Sequence, residues 1–114
     1  MALTKKNVRV FFECVLHVGH KEVSEASAEL SRRAGDIDVY TRTDTLKNGV
    51  RQFNAWYQCY SVPYKSELQE EAEIIANHLK VGAVEVHVSE LVESEEYTLR
   101  KKPVKREEEW VLEG

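Results

Sequence analysis

The sequence lacks the features that assign a protein class directly. It has only two cysteines in 114 residues, and no apolar run approaches the ~20 residues that span a bilayer. Near the N-terminus Arg9, Glu13 and His17 interrupt the apolar residues, so no signal-peptide core forms. A catalytic signature and a phosphate-binding loop are also missing. These absences predict a soluble cytoplasmic protein in which Cys14 and Cys59 are buried, reduced thiols.

The composition is sufficient for one packed domain. A length of 114 residues, 42% of them apolar, is ordinary for a single core. The net charge of −4 disfavours non-specific binding to nucleic acid, which depends on Lys and Arg facing phosphates. We predict one domain over residues 1–114, with its core at about 7–100 and a charged tail or docking segment at 101–114.

Apolar periodicity predicts six elements, in the order strand 8–18, helix 21–34, strand 36–43, strand 50–62, helix 66–80 and strand 83–88. After Val88 the apolar residues change from even to odd positions, which would move them to the other face of a straight strand. This change requires a bend or bulge near Ser89–Glu90 or a turn near Glu93–Ser94. The second helix is expected to place four acidic residues on its solvent side: Glu67, Glu70, Glu71 and Glu73.

This order predicts an α+β fold of the ferredoxin-like, split βαβ type (βαββαβ), with an antiparallel sheet, two helices on one face and a C-terminal extension. The first and third strands are expected to be central and parallel, and the fourth to lie antiparallel beside the first. Because folds of this type have many unrelated functions, the fold alone assigns none.

Asn48-Gly49 is expected to form the hairpin turn between the second and third strands. A regular two-residue turn there would place Ile37 and Val39 opposite the polar side of the third strand. We therefore predict a bulge, or a loop one residue longer or shorter, that puts Ile37 and Val39 on the same face as Tyr57.

Histidine and cysteine spacing raises the possibility of a metal or phosphoesterase site, but geometry opposes both. Zinc needs about four converging ligands, whereas Cys14 and His17 point to opposite faces of a strand and only His20, in a loop, can adapt. His17 and His87 are expected ~20 Å apart, too far to act as an acid and base on one phosphate. We predict no metal site and no cofactor.

The helix-free face of the sheet gives the clearest functional signal. Phe11, Val15 and Trp56, with Tyr40 or Tyr60, are predicted to form an apolar patch there. Monomers seldom leave such a patch bare, so the leading hypothesis is a non-enzymatic binding or regulatory module that acts through this face as a homodimer or with a protein partner. The alternative is that the C-terminal extension folds across the patch.

A second hypothesis is a single-stranded nucleic-acid-binding domain. Residues 51–57 resemble the RNA-stacking strand of an RNA recognition motif, although the glycine at the second position is missing and Ala55 replaces an aromatic residue. The resemblance implies that bases stack on Phe11, Trp56 or Tyr60.

A third hypothesis is a small-ligand-binding or hydrolytic enzyme around Glu13, His17 and Tyr57. Glu13 projects from the middle of a predicted central strand, where Arg51, Arg9 or Arg42 would pair with it across strands. An ion pair is the simpler expectation for this carboxylate, so a binding protein is favoured over an enzyme.

Overall fold

The computed structural model describes residues 7–93 and 101–113, and the side chains of residues 7–90. The elements are β1 (Val8–Val15), α1 (His20–Ala34), β2 (Tyr40–Thr45), β3 (Arg51–Cys59), α2 (Lys65–Leu79), β4 (Ala83–Glu93) and β5 (Lys101–Glu113). Within these described ranges, neither helix combines the length and the apolar character that a membrane crossing requires.

The strands form one sheet in the order β2-β3-β1-β4-β5, and every neighbouring pair is antiparallel. The first six elements therefore have the predicted ferredoxin-like βαββαβ arrangement. The first and third strands are adjacent and lie inside the sheet, but the prediction that they are parallel was wrong. β1 runs in the same direction as β2, because both are antiparallel to β3, which separates them.

Both helices cover one face of the sheet, and alternation along the strands selects the residues that meet them. In α1 the buried stripe is Val23, Ala26 and Leu30. In α2 it is Leu68, Ala72, Ile75 and Leu79. The strands contribute every second residue to the same core, including Val10, Phe12, Phe53, Ala55, Val84 and Val86. Burial on one side only leaves the opposite face of the sheet without a helical layer.

The β2–β3 hairpin has a loop one residue longer than the shortest turn. Leu46 N–H donates to Val50 O over 2.8 Å, and Gly49 N–H donates to Leu46 O over 2.9 Å. Three residues therefore close the turn, and Gly49 occupies the left-handed region with φ 85°. The predicted change of parity is confirmed, because Ile37 and Val39 pack against the core.

Residues 101–113 form a strand, β5, at the edge of the sheet. β5 pairs antiparallel with β4 from Glu113 opposite Ala83 to Lys101 opposite Glu93, with one interruption. The register shifts between Ser89 and Leu91, which confirms the predicted irregularity near Ser89–Glu90. Residues 101–113 thus extend the sheet sideways beside β4. The part of the extension at 94–100, which was also considered as a cover for the helix-free face, lies outside the described residues.

Candidate functional site

Four rings form one row across the helix-free face, with one ring from each of four adjacent strands. Tyr40 lies opposite Trp56, Trp56 opposite Phe11, and Phe11 opposite His87. The distances between successive ring centroids are 6.0, 6.1 and 6.2 Å. These spacings are typical of interacting aromatic pairs. We call these four residues the aromatic row.

The position of the row follows from the strand period of two. Each ring lies between two inward-facing neighbours, as Phe11 does between the buried side chains of Val10 and Phe12. Tyr40, on the edge strand β2, is 53% exposed, and the three other rings are half-buried. Each of the four residues of the row is therefore at least partly exposed to solvent.

Two arginines lie over the row, one on each side of it along the strand direction. The guanidinium of Arg9 is 5.1 Å from the centre of the Phe11 ring, and that of Arg42 is 5.8 Å from the centre of the Trp56 ring. Contacts of this kind at exposed positions are worth about 0.5–1 kcal/mol each. Arg42 also donates from Nε to Asp44 Oδ2 over 2.9 Å. The arginines therefore place positive charge at two of the four rings.

A second row of side chains, beside the first, is polar, and its charge changes from positive to negative across the sheet. From β2 to β4 it consists of Arg42, Asn54, Glu13 and Glu85, which lie opposite one another in register. Arg42 provides a positive charge at one end, and the two glutamates provide negative charges at the other. Glu13 therefore has Asn54 and Glu85 as its direct cross-strand neighbours, and not an arginine.

Asn54 in the middle of this polar row is almost fully buried, with an exposed fraction of 2%. Its Nδ2 donates to Asp44 Oδ2 over 3.0 Å. Its Oδ1 is also buried and has no hydrogen-bond donor among the residues that the structure describes. A buried acceptor left without a donor costs about 1–3 kcal/mol. The centre of this face thus contains one unsatisfied polar atom.

The structure brings together three of the five predicted binding residues and separates the other two. Phe11, Tyr40 and Trp56 are in the aromatic row. Val15 is 43% exposed on the same face, but the polar row lies between it and the rings. Tyr60 follows the end of β3 and lies outside the row. The site residues remain a prediction.

His87 is the ring that sequence analysis missed. The alternation of Val86 and Val88 already placed His87 on the helix-free face. Its position opposite Phe11 depends on the register between β1 and β4, which connects residues far apart in sequence. The periodicity therefore predicted the face of the sheet on which His87 lies. No local pattern predicted that it lies opposite Phe11.

A cavity of about 480 Å³ lies on the other side of the sheet, between the end of α1, the end of β3 and the start of α2. The residues that line it are Arg33, Ala34, Ile37, Tyr57, Cys59, Ser61, Pro63, Glu67 and Glu71. Its volume is within the range of small-molecule pockets. We call it the helix-side cavity.

The polar groups of the helix-side cavity are connected to one another. Tyr57 donates from its hydroxyl to Glu71 Oε1 over 2.6 Å. Arg33 Nε is 3.8 Å from Glu71 Oε2, and the same guanidinium pairs with Glu70. Cys59 Sγ donates to the carbonyl of Ser61 over 3.2 Å. The expectation that Glu71 faces solvent was wrong, because its side chain is only 13% exposed.

Burial is the largest influence on the pKa values of Glu71 and Tyr57. It raises the pKa of Glu71, although the hydrogen bond from Tyr57 and the charge of Arg33 act in the opposite direction. Burial also raises the pKa of the Tyr57 phenol, and the nearby negative charge of Glu71 adds to this effect. The carboxylate of Glu71 is therefore incompletely compensated by the groups around it.

The three residues of the enzyme hypothesis do not converge. Glu13 is on the helix-free face, Tyr57 is on the helix-covered face, and His17 is exposed beyond the end of β1. Among the residues described, no group of three or more His, Cys, Asp or Glu side chains is arranged to hold a metal ion. A site built from Glu13, His17 and Tyr57 together would have to span both faces of the sheet.

Comparisons with known proteins give no family for this chain. No protein-family model and no curated protein sequence matches it. A phage SAM lyase in its apo state superposes with a TM-score of 0.48 at 10% identity, covering 100% of this chain and 95% of the lyase. A functionally unknown protein from Pediococcus pentosaceus superposes with a TM-score of 0.44 at 12% identity, covering 96% and 94% of the two chains. Similarity this low transfers no function.

Proposed function

We propose that this chain is a non-enzymatic binding module that forms a homodimer through the helix-free face of its sheet. The observation that carries the proposal is the aromatic row, which lies on the face of the sheet that neither α1 nor α2 covers. Exposed apolar side chains continue this face toward the hairpin, since strand alternation places Leu46 and Val50 on the same side as Val15. Apolar surface of this extent on one face is typical of an interaction site.

The charge pattern of the polar row favours a second copy of this chain as the occupant. A two-fold axis parallel to the strands, between β1 and β3, would place each row against the same row of the other copy in reversed strand order. Arg42 of one copy would then face Glu85 of the other, and this pair would form twice because a two-fold interface is isologous. Face-to-face sheets pack with their strands within about 30° of each other, which this arrangement allows.

The same axis places the aromatic rows of the two copies against each other. Trp56 of one copy would face Phe11 of the other, so the two aromatic rows would form the centre of the interface. The buried Oδ1 of Asn54 lies beside this centre and is without a donor in the described residues. The axis places Glu13 of the other copy, itself an acceptor, opposite Asn54, so the dimer does not supply a donor to this oxygen.

Single-stranded nucleic acid is the second candidate, because arginines over stacked rings are a common arrangement for base stacking. The described side chains of the face nevertheless carry more negative than positive groups. The carboxylates are Glu13, Asp38, Asp44 and Glu85, and the guanidinium groups are Arg9 and Arg42. A phosphate backbone laid across this face would meet an excess of negative charge. A face that carries both positive and negative charges is better matched by the same face of a second copy of the chain, related by a two-fold axis.

Charge reversal tests the homodimer directly. We expect Arg42→Glu and Glu85→Arg each to raise the dimer dissociation constant by about tenfold or more, because each places like charges opposite one another twice. The variant with both changes restores the opposite charges and should recover most of the affinity. Sedimentation equilibrium over a concentration series measures the effect. Arg32→Glu, an exposed reversal on α1, is the matched control and should leave the dissociation constant unchanged.

Two results would contradict the proposal. One is a monomer mass for the unaltered chain across the whole concentration series. The other is a dimer that both single reversals leave intact. Fluorescence anisotropy with oligo-dT and oligo-U distinguishes the second candidate, since a monomer that binds them with salt-dependent affinity, and loses binding in Trp56→Ala, would be a nucleic-acid-binding domain.

A further inference from the structure

The helix-side cavity is separate from the proposed dimer face, because the two lie on opposite sides of the sheet. Its floor is the end of β3, where Tyr57 and Cys59 face inward. Its walls are the last turn of α1, with Arg33 and Ala34, and the first two turns of α2. Elements from three parts of the sequence therefore converge on one concave space.

The lining of the cavity includes both apolar and polar groups. Ala34, Ile37 and Pro63 provide aliphatic surface, while Glu67 and Glu71 place two carboxyl groups on the α2 side. A ligand that suits such a cavity is amphipathic, with an apolar body and one polar end. Small-molecule sites commonly combine an apolar lining with a few polar groups that fix orientation.

The charges of the residues that line the cavity determine whether the polar end of the ligand is cationic or anionic. Among the described residues that line the cavity, Arg33 is the one cationic side chain, and its guanidinium already pairs with Glu70 and lies near Glu71. An anionic ligand would have to displace those carboxylates. A cationic ligand would meet Glu67 and Glu71 directly, and Tyr57 would continue to donate to Glu71 Oε1. Opposite charge near a poorly compensated carboxylate is stabilising.

We infer that the helix-side cavity binds a small organic cation, an amine or similar group on an apolar body, with Glu71 as its counter-ion and Tyr57 as the group that holds Glu71 in position. The raised pKa of Glu71 is consistent with this role, since burial removes water from the carboxylate and the chain supplies only partial compensation. A bound cation would complete that compensation. The inference goes beyond the proposed dimer and does not depend on it.

A set of three probes with nearly the same carbon skeleton tests the charge requirement. These are phenethylamine as the cation, phenethyl alcohol as the neutral analogue and phenylacetate as the anion. In an NMR titration of the backbone amides, we expect the amine to bind at least about tenfold more tightly than the alcohol, and the anion not to bind. The shifted amides should include those of residues 57, 59 and 71. The cation should also slow alkylation of Cys59, because that thiol lines the cavity.

Matched variants test whether the preference for the amine depends on Glu71. Glu71→Gln keeps an acceptor for Tyr57 and removes the charge, so the amine should lose its advantage over the alcohol. Glu73→Gln, an exposed change on the same helix, should bind as the unaltered chain does. Equal affinity for the amine and the alcohol, or binding unaffected by Glu71→Gln, would overturn the inference. Repeating the titration on Arg42→Glu separates the two proposals, since loss of the dimer should leave cation binding unchanged.

Discussion

Tyr57 donates its phenolic hydrogen bond to Glu71 Oε1 over 2.6 Å, and this bond connects the inner face of β3 to the second turn of α2. Both groups are largely buried. Water therefore cannot replace this hydrogen bond unless the helix moves. We expect Tyr57→Phe to lower the free energy of unfolding by about 1–3 kcal/mol, because it leaves a buried carboxylate without its donor. Urea denaturation measures the change.

A double-mutant cycle separates this bond from other effects of the substitution. In a Glu71→Gln background the acceptor is neutral, so the loss caused by Tyr57→Phe should be smaller than in the unaltered chain. If Tyr57→Phe costs the same in both backgrounds, the charge on Glu71 contributes nothing to the bond.

The raised pKa of Glu71 gives a stability prediction with a defined sign. Burial holds the pKa in the folded state above the ordinary value of about 4.5, so the folded chain binds this proton more tightly than the unfolded chain does. The stabilising contribution is therefore complete below the unfolded pKa and is lost as pH rises through the folded pKa. Glu71→Gln cannot ionise. Its stability relative to the unaltered chain should increase as pH rises from 4.5 through the folded pKa.

Urea denaturation at a series of pH values checks this prediction. Glu73→Gln is the matched control, because Glu73 is an exposed residue of the same helix. A stability difference between Glu71→Gln and the unaltered chain that is flat, or that falls, over the same pH interval would contradict the assignment of burial as the dominant cause.

The fold was predictable because its signal is local. The strand period of two in β1 and the helical spacing of Val23, Ala26 and Leu30 each follow from neighbouring residues. The parity argument at the hairpin was also local, since it needed only the positions of Ile37 and Val39 relative to the turn. These local patterns were enough to give the order of the first six elements, but not the relative direction of β1 and β3 or the pairing of β5 with β4.

The sites were less predictable because they depend on register and on side-chain reach. His87 joins the aromatic row only through its position opposite Phe11. Glu71 belongs to a run of glutamates that the helical pattern assigned to solvent, but it lies close enough to the end of β3 to accept a bond from Tyr57. Spacing along one helix cannot show which of several similar acids meets another element.

The two thiols should both react slowly in the native state. Burial, with a further effect from the charge of Glu13, raises the pKa of Cys14 to about 12, so almost no reactive thiolate is present near neutral pH. Cys59 is also buried, although it lines the helix-side cavity, so we expect it to react faster than Cys14. Alkylation with and without denaturant, followed by mass spectrometry of the peptides, measures both rates. Rapid labelling of Cys14 in the native state would contradict its burial.

The same cysteines should not form a disulfide within one chain. Cys14 pairs in register with Phe53, and Cys59 pairs with Val8, so the two positions lie six residues apart along adjacent strands. At ~3.3 Å per residue this is ~20 Å, far beyond the Cα separation that a disulfide allows. Mild oxidation should therefore leave the monomer without an internal cross-link, as judged by non-reducing mass analysis.

Trp56 is the residue whose substitution best distinguishes an interface from a core. It is half-buried at the centre of the aromatic row, between the rings of Tyr40 and Phe11. An aromatic anchor of this kind typically contributes about 2 kcal/mol or more to association, so Trp56→Ala should raise the dimer dissociation constant by at least about 30-fold. Because its outer side faces away from the helices, the monomer should stay folded. Sedimentation equilibrium and thermal denaturation on the same sample measure the two effects separately.

The control for Trp56→Ala is Tyr64→Ala, which removes an aromatic ring that is 77% exposed at the start of α2 and lies outside the sheet. It should alter neither association nor stability by more than the usual ±0.5 kcal/mol of a surface change. If Trp56→Ala instead costs about 3–5 kcal/mol of stability, as truncation of a core aromatic does, the ring supports the fold and the helix-free face is not an interface. A folded Trp56→Ala monomer that has lost only self-association is the result that the dimer proposal requires.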